Sequence, residues 1–225
     1  MTLPEFAGDL LVGLARLITG AQGRWHGAPP KAEQRIYFAN HQSHFDWVLV
    51  WAALPRDLRC RTRPIAARDY WTATALKRWI TREVFHAVYV SRPRTAPDAP
   101  KPPAPQDPLA PQGPLETLDP LEPLMQALQA GDSLVIFPEG TRGHAAEPGP
   151  FKSGLYHLAR AYPQVTLIPA WIDNVQRVMP KGEVVPVPIL CSVTFGAPLA
   201  LGPQEERHAF LERARRAVLA LRAVH

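Results

Sequence analysis

The chain has 225 residues, an apolar fraction of 46% and a formal net charge of +5 from 25 basic and 20 acidic residues. These values suit one folded domain with a real core, alone or with one mobile segment. The basic excess suits anionic partners such as phosphate head groups, an anionic leaflet, coenzyme A or nucleic acid, although an ordinary solvated surface explains it equally well.

The cysteine content argues against a disulfide-rich protein, and the lengths of the apolar runs argue against a transmembrane protein. Cys60 and Cys191 are too few for a disulfide framework and have no metal-binding spacing, so we expect a reducing, cytoplasmic setting. No apolar run reaches the ~20 residues that a transmembrane helix needs. A signal peptide is not expected either, because a basic start is missing and Asp9 and Arg16 interrupt the apolar stretch.

The first segment, residues 1–22, is predicted to be an amphipathic helix centred on 4–21. One side carries an apolar stripe, and the opposite side carries Glu5, Asp9, Arg16 and Thr19. Either this stripe packs onto the rest of the protein, or the helix lies in a membrane interface. The stripe consists of Leu3, Phe6, Leu10, Leu14, Leu17 and Ile18.

The remaining residues, 23–225, are predicted to form one domain in which strands and helices alternate. This alternation predicts an α/β fold with a mixed, mainly parallel sheet covered by helices. Strands are expected at 35–39, 61–67, 85–91, 133–138, 165–172 and 184–196. Helices are expected at 44–54, 69–82, 115–130, 152–161 and 204–223.

A proline-rich stretch interrupts this alternation. Residues 93–123 hold 11 of the 26 prolines. Proline removes amide donors and restricts the backbone, so this stretch cannot form a helix or a central strand. We therefore expect a flexible insertion at 93–114 that acts as a spacer or, alternatively, binds a proline-recognising partner.

Two short polar segments follow strand-like runs and carry most of the functional information. The first is Asn40 to Asp46 and the second is Phe137 to Arg142. Reactive residues are common where a strand ends and a loop begins. The first segment offers a base and a carboxylate, and the second offers a carboxylate and a guanidinium in a glycine-containing turn. Together they indicate a site that removes a proton from one substrate group and binds an anion nearby.

Both segments resemble motifs of the glycerophospholipid acyltransferase family, of the lysophosphatidate acyltransferase type. Residues 137–142 match the family motif Phe-Pro-Glu-Gly-Thr-Arg without a gap, and looser matches at 88–92 and 167–170 keep the family's order. The motif Asn-His-x4-Asp is matched by Asn40, His41 and Asp46.

The resemblance implies that His41 is the catalytic general base and that Asp46 orients its ring. A neutral imidazole suits proton removal at cytoplasmic pH. Residues five apart do not share a helix face, so His41 must precede a helix that begins near Ser43, with Asp46 pointing back to it. Asp46 could instead only cap that helix, and His44 is a second candidate base.

A metal site is the alternative use of these side chains. His41, His44 and Asp46 could ligate zinc if Glu139 and His144 contributed, but no second cysteine or histidine cluster supports it. We therefore expect neither a metal nor a cofactor.

The second motif is predicted to bind the acceptor's phosphate. Arg142 supplies a guanidinium, and Gly140 lets backbone amides approach an anion. Glu139 would orient Arg142 or accept a hydrogen bond from a glycerol hydroxyl. The predicted substrate-binding set is Arg92, Glu139, Gly140, Thr141, Arg142 and Lys152.

The function that the resemblance implies is transfer of a fatty acyl chain from acyl-CoA or acyl-carrier protein to a lysophospholipid hydroxyl, first of all 1-acyl-sn-glycerol-3-phosphate. The enzyme would lie peripherally on the cytoplasmic face of the cell membrane, and no nucleic-acid partner is expected. The rivals are acylation of another amphiphile, such as an ornithine lipid precursor, a lipid-binding protein without turnover, and a metal hydrolase.

Overall fold

A computed structural model of the chain describes residues 3, 6–10, 12, 13, 22–27, 29–43, 46–67, 71, 72, 74–90, 121–143, 147–173 and 191–224. The predicted insertion at 93–114, the second half of the predicted N-terminal helix, and the first part of the strand predicted at 184–196 lie outside these residues. His44, Arg92 and His144 do so as well.

Within the described residues, seven strands form one sheet in the order β1-β7-β6-β2-β5-β3-β4. Neighbouring strands are parallel except at β6 and β7, which run antiparallel. The predicted mixed, mainly parallel α/β sheet is therefore confirmed. The strands are β1 (Gln22–Trp25), β2 (Arg35–Ala39), β3 (Thr62–Ala67), β4 (Val88–Val90), β5 (Ser133–Ile136), β6 (Thr166–Asp173) and β7 (Ser192–Phe195).

Helices cover both faces of this sheet. One face carries the helices that begin at Asp46 and Arg56 and the π-helical turn at 80–84, and the other carries the helices that begin at Glu122, Gly154 and Arg207. The helices are α1 (Asp46–Ala53), α2 (Arg56–Arg59), α3 (Ala75–Trp79), α4 (Glu122–Gln129), α5 (Gly154–Ala161) and α6 (Arg207–Ala220). A π-helical turn, Ile80–Val84, continues α3, and a 3-10 turn, Leu221–Ala223, continues α6.

The central strands are buried on both sides because side chains alternate between two apolar clusters. Tyr37 of β2 and Val135 of β5 face the cluster around α1. Phe38 and Ile136, one residue further along, face the cluster formed with α4, α5 and α6. This double packing holds the carboxyl ends of β2 and β5 in place.

Two predicted boundaries are wrong. Residue 22 was assigned to the N-terminal helix, but it begins β1, which pairs with β7 at the sheet edge. The strand expected at 85–91 is reduced to Val88–Val90 among the described residues. The π-helical turn occupies 80–84, and His86 has a positive φ of 47°, a conformation incompatible with a strand.

The described part of the N-terminal helix turns its apolar stripe away from the protein. Phe6 and Leu10 are 51% and 62% exposed, whereas Val12 is buried in the cluster around α1. Asp9, on the predicted polar side, forms ion pairs with Arg59 at 2.9 Å and Arg56 at 3.4 Å. The described portion of the chain contains no helix with the length and apolar character needed to cross a bilayer.

Candidate active site

The two polar segments meet because β2 and β5 are adjacent parallel strands. Phe38 pairs with Ile136 in the register, so the residues that follow both strands emerge side by side at one edge of the sheet. This is the carboxyl edge, where ligands commonly bind in open α/β sheets. His41 and Glu139 therefore come together although 98 positions separate them in the chain.

Asn40 fixes the point at which the first segment leaves the sheet. Its side-chain amide donates to the carbonyl of Ile172 at 3.1 Å, and its side-chain oxygen accepts from the amide of Ile172 at 2.8 Å. Both bonds are buried and continue the pairing of β2 with β6 by one residue. These two hydrogen bonds set the direction of the turn that carries His41.

His41 and Asp46 are in direct contact. Nδ1 of His41 lies 2.8 Å from Oδ2 of Asp46, which is fully buried as the first residue of α1. The same oxygen accepts from the backbone amides of Gln42 at 2.6 Å and Ser43 at 2.8 Å. Since a carboxylate accepts, Nδ1 is the donor and Nε2 carries the lone pair needed for a base.

The hydrogen bond from the amide of Ser43 to the carboxylate of Asp46 is one of the two bonds of a capping box. Asp46 therefore both caps α1 and holds the imidazole. The sequence left these two roles as alternatives. The structure contains both contacts at one oxygen.

The ring of His41 is also held on its face. It stacks on Phe137 with a centroid separation of 4.3 Å and an interplanar angle of 15°. The side chain is 15% exposed, which leaves a restricted approach to the ring. Phe137 belongs to the second motif, but its spacing gives no sign of this contact.

Glu139 connects three segments around the site. One carboxylate oxygen accepts from the amide of His41 at 2.8 Å, and the other accepts from the amide of Gly149 at 2.8 Å. The amide of Gly143 donates in turn to the carbonyl of His41 at 2.8 Å. Glu139 is buried, so this geometry favours a positioning role over the predicted contact with the acceptor or Arg142.

The turn at Gly140 combines an unusual backbone conformation with nearby cationic side chains. Gly140 has a φ of +68°, a backbone conformation that residues other than glycine rarely adopt. The side chain of Lys152 crosses directly over it, because a Cβ added at Gly140 would meet Nζ of Lys152 at 2.7 Å. Thr141 and Arg142 are exposed in the same loop. Two of the predicted cations, Lys152 and Arg142, therefore flank one glycine turn.

A buried thiol that the sequence pattern did not single out lies close to Asp46. Burial, together with the negative charges of Asp173 and Asp46, raises the pKa of Cys191 to about 11. Cys191 is therefore protonated at neutral pH and is not a thiolate nucleophile for the acyl group.

The predicted site residues are accounted for only in part. Arg92 and His44 lie outside the described residues, as does His144 of the metal alternative. Among the residues that are described, no group of three or more histidine, cysteine, aspartate or glutamate side chains is arranged to hold a metal ion.

The His41–Asp46 pair thus lies beside the glycine turn, at the carboxyl edge of an α/β sheet. The family model described as Acyltransferase matches residues 25–173, and this chain belongs to that family. The match includes every described site residue named above except Cys191.

Curated relatives agree with this family. The 1-acyl-sn-glycerol-3-phosphate acyltransferase alpha of Mus musculus is 30% identical over 179 residues, covering 77% of this chain and 53% of its own length. The protein of the same name from Homo sapiens is 30% identical over 176 residues, covering 77% of this chain and 50% of its own. The chain thus spans about half the length of the curated relatives it matches.

A solved structure shows the same fold. The 1-acyl-sn-glycerophosphate (LPA) acyltransferase PlsC from Thermotoga maritima superposes with a TM-score of 0.63 at 19% sequence identity. The match covers 99% of this chain and 84% of that one.

Proposed function

We propose that the protein transfers a fatty acyl chain from a thioester to a hydroxyl of a lysophospholipid, with His41 as general base. The contact between Nδ1 of His41 and Oδ2 of Asp46 carries this proposal. Nε2 takes the hydroxyl proton as the oxygen attacks the thioester carbonyl, and the imidazolium that forms is stabilised by Asp46. The proton then passes to the departing thiolate, which leaves as the free thiol of the donor.

The proposed acceptor carries a phosphate, and 1-acyl-sn-glycerol-3-phosphate is the first candidate. Lys152 lies over Gly140, and Arg142 is exposed two residues further along the same loop, so both can supply positive charge to a bound phosphate. Gly140 and Thr141 would line the phosphate, and Arg92 is a further cation proposed from the sequence. The names of the relatives, 1-acyl-sn-glycerol-3-phosphate acyltransferase alpha, support the same acceptor.

The proposed donor is acyl-CoA or acyl-carrier protein. A thioester brings its own activation, so transfer by this route requires no cofactor. Glu139 contributes indirectly, because its two oxygens hold the amides of His41 and Gly149 and so keep the base beside the phosphate turn.

The proposed location is the cytoplasmic face of the cell membrane, with peripheral attachment through the N-terminal helix. Its exposed Phe6 and Leu10 face outward, while Asp9 is held by Arg59. Burying such apolar side chains in the interface contributes roughly 25 cal/mol per Å².

Purified protein incubated with labelled acyl-CoA or acyl-carrier protein and a panel of lysolipids tests the reaction. We expect the label in phosphatidate when 1-acyl-sn-glycerol-3-phosphate is the acceptor, and a loss of about 10²–10⁴ in rate for His41→Ala. Preference for an acceptor without phosphate would exclude the proposed acceptor. Equal turnover of the wild type and His41→Ala would exclude the mechanism.

A further inference from the structure

Helix α3 presents two large apolar side chains to solvent. Leu76 is 66% exposed and Trp79 is 36% exposed, and no residue of this helix is buried. The two residues are three positions apart, so they lie on one face. A single exposed leucine is ordinary, whereas a leucine and a tryptophan on the same face form a small apolar patch.

The opposite side of this segment is anchored, which fixes the patch outward. Thr81 and Val84 of the π-helical turn are buried, and Ile80 packs against the cluster around α1. The patch therefore cannot turn inward without removing these contacts from the core.

Basic residues lie close to the patch in the sequence. Residues 74–84 contain three basic residues, Lys77, Arg78 and Arg82, and one acidic residue, Glu83. Arg78 and Arg82 are exposed. Nε of Arg82 forms an ion pair with Oε1 of Glu83 at 3.7 Å. Tryptophan and leucine together with arginine suit a segment at the interface of an anionic bilayer.

The segments on either side of the patch contact the N-terminal helix and α1. A Cβ added at Gly8 would lie 3.3 Å from Val84, so the N-terminal helix packs on the π-helical turn. At the other end, Trp71 precedes α3 and contacts Trp47 at a centroid distance of 5.1 Å, and Trp47 directly follows Asp46. The N-terminal helix and the segments that flank α3 thus pack around α1.

We propose that α3 is a second membrane contact, selective for anionic lipid, that acts beside the N-terminal helix. Leu76 and Trp79 enter the interface, and Arg78 and Arg82 bind the phosphate groups of anionic lipids. With two contacts instead of one, the protein cannot rotate about its N-terminal helix, and the edge of the sheet that carries His41 keeps one orientation to the lipid surface.

Vesicle flotation tests this proposal without any turnover, so its failure is separate from failure of the proposed reaction. The full chain is compared on vesicles of phosphatidylcholine alone and of phosphatidylcholine mixed with phosphatidylglycerol. Arg78→Gln combined with Arg82→Gln should weaken binding to the anionic vesicles roughly 25-fold, about fivefold for each charge, and leave binding to phosphatidylcholine unchanged. Leu76→Ser should weaken binding to both, and adding Trp79→Ser should weaken it further.

The matched control is Arg207→Gln combined with Arg216→Gln. Both residues are exposed on α6, which packs on the opposite face of the sheet, and their removal changes the net charge equally. An equal loss of binding in this control would mean that total charge, not α3, governs binding and would overturn the proposal.

Two further results would overturn it. One is wild-type flotation by the Arg78/Arg82 and Leu76 variants with unchanged melting temperatures. The other is a wild-type oligomer that Leu76→Ser converts to monomer, which would make the patch a surface between copies of this chain.

Discussion

The carboxylate of Asp46 accepts three hydrogen bonds at one oxygen, so its substitution can separate capping of α1 from charge at His41. In Asp46→Asn the side-chain oxygen can still accept from all three donors, and its amide then takes the place of Oδ1, which has no hydrogen-bond partner among the described residues. We expect a melting temperature somewhat below that of wild type, because the buried NH2 group finds no acceptor, and a kcat at least about 10²-fold lower, since the imidazolium loses its negative partner.

Steady-state kinetics and thermal melting of the same preparations check this. Asp46→Ala is the control, because it removes both the cap and the charge and should lower the melting temperature further than Asp46→Asn does. Wild-type kcat in Asp46→Asn would mean that the residue only caps the helix.

Glu139 is a second residue whose geometry dictates a specific result. Glutamine has one acceptor oxygen, whereas Glu139 serves two backbone amides, those of His41 and Gly149. In Glu139→Gln one of these amides must face an NH2 group, and leaving a buried donor unpaired costs about 1–3 kcal/mol. We expect a lower melting temperature and a lower kcat, with little change in acceptor KM.

Arg142→Ala supplies the contrast. Arg142 is exposed, so its removal should leave the melting temperature unchanged and raise the KM for a phosphate-bearing acceptor more than the KM for the donor. If Glu139→Gln instead raises acceptor KM without loss of stability, then Glu139 contacts the acceptor directly.

At the scale of elements, the strands that an apolar run defines were predicted well. The prediction for β2 at 35–39 coincides with Arg35–Ala39, and β5 and β6 are close, because central strands are buried on both faces. Strand β1 was missed: it is a four-residue edge strand, Gln-Gly-Arg-Trp, without an apolar run. Its pairing partner, β7, lies 170 positions away in the register.

The site was predictable to the extent that its contacts are local. The bond between His41 and Asp46 spans five positions, and the capping pattern requires the turn that makes it. The bonds of Asn40 to Ile172 and of Glu139 to His41 span 132 and 98 positions. Such contacts depend on the order of the strands in the sheet, which local spacing does not encode. The sequence therefore does not predict the long-range hydrogen bonds that hold the site.

The N-terminal helix allows a test within one element. Phe6 and Leu10 are exposed, while Val12 on the same helix is buried. Phe6→Ser combined with Leu10→Ser should weaken vesicle flotation at least roughly tenfold and leave both the melting temperature and turnover of a short-chain, soluble acceptor unchanged.

Val12→Ser is the matched control and should lower the melting temperature, because it places a hydroxyl in the core. Unchanged flotation together with a lowered melting temperature in the Phe6/Leu10 variant would show that the stripe packs against the protein.

At the scale of the whole molecule, α1 links the base to both apolar surfaces. The helix begins with Asp46, and its Trp47 contacts Trp71, which precedes α3. The rings of its Trp51 and of Phe85 have centroids 4.7 Å apart. Trp51 also lies close to Gly8 of the N-terminal helix, since a Cβ added at Gly8 would be 3.7 Å from its ring. Helix α1 is therefore in contact both with the N-terminal helix and with the segment that leads into α3.

The proline-rich insertion allows a test of which parts of the chain this arrangement needs. Strand β4 ends at Val90 and α4 begins at Glu122, and Val88 and Val90 pack in the same cluster as Leu124 and Leu128. The two ends of the connection therefore belong to neighbouring elements, and a much shorter connection can join them. Excising residues 95–113 should change the free energy of unfolding by less than about 1 kcal/mol, because closure entropy varies only with the logarithm of loop length.

We expect the excised protein to melt at or slightly above the wild-type temperature and to retain most of its activity. Thermal melting and acyl-transfer assays on soluble and vesicle-bound acceptors check both expectations. Collapse of the fold would show that the prolines pack against the domain. Normal melting with activity lost on every acceptor would show that the insertion covers the site. Loss confined to vesicle-bound acceptors would instead assign it to the lipid surface, beside the N-terminal helix and α3.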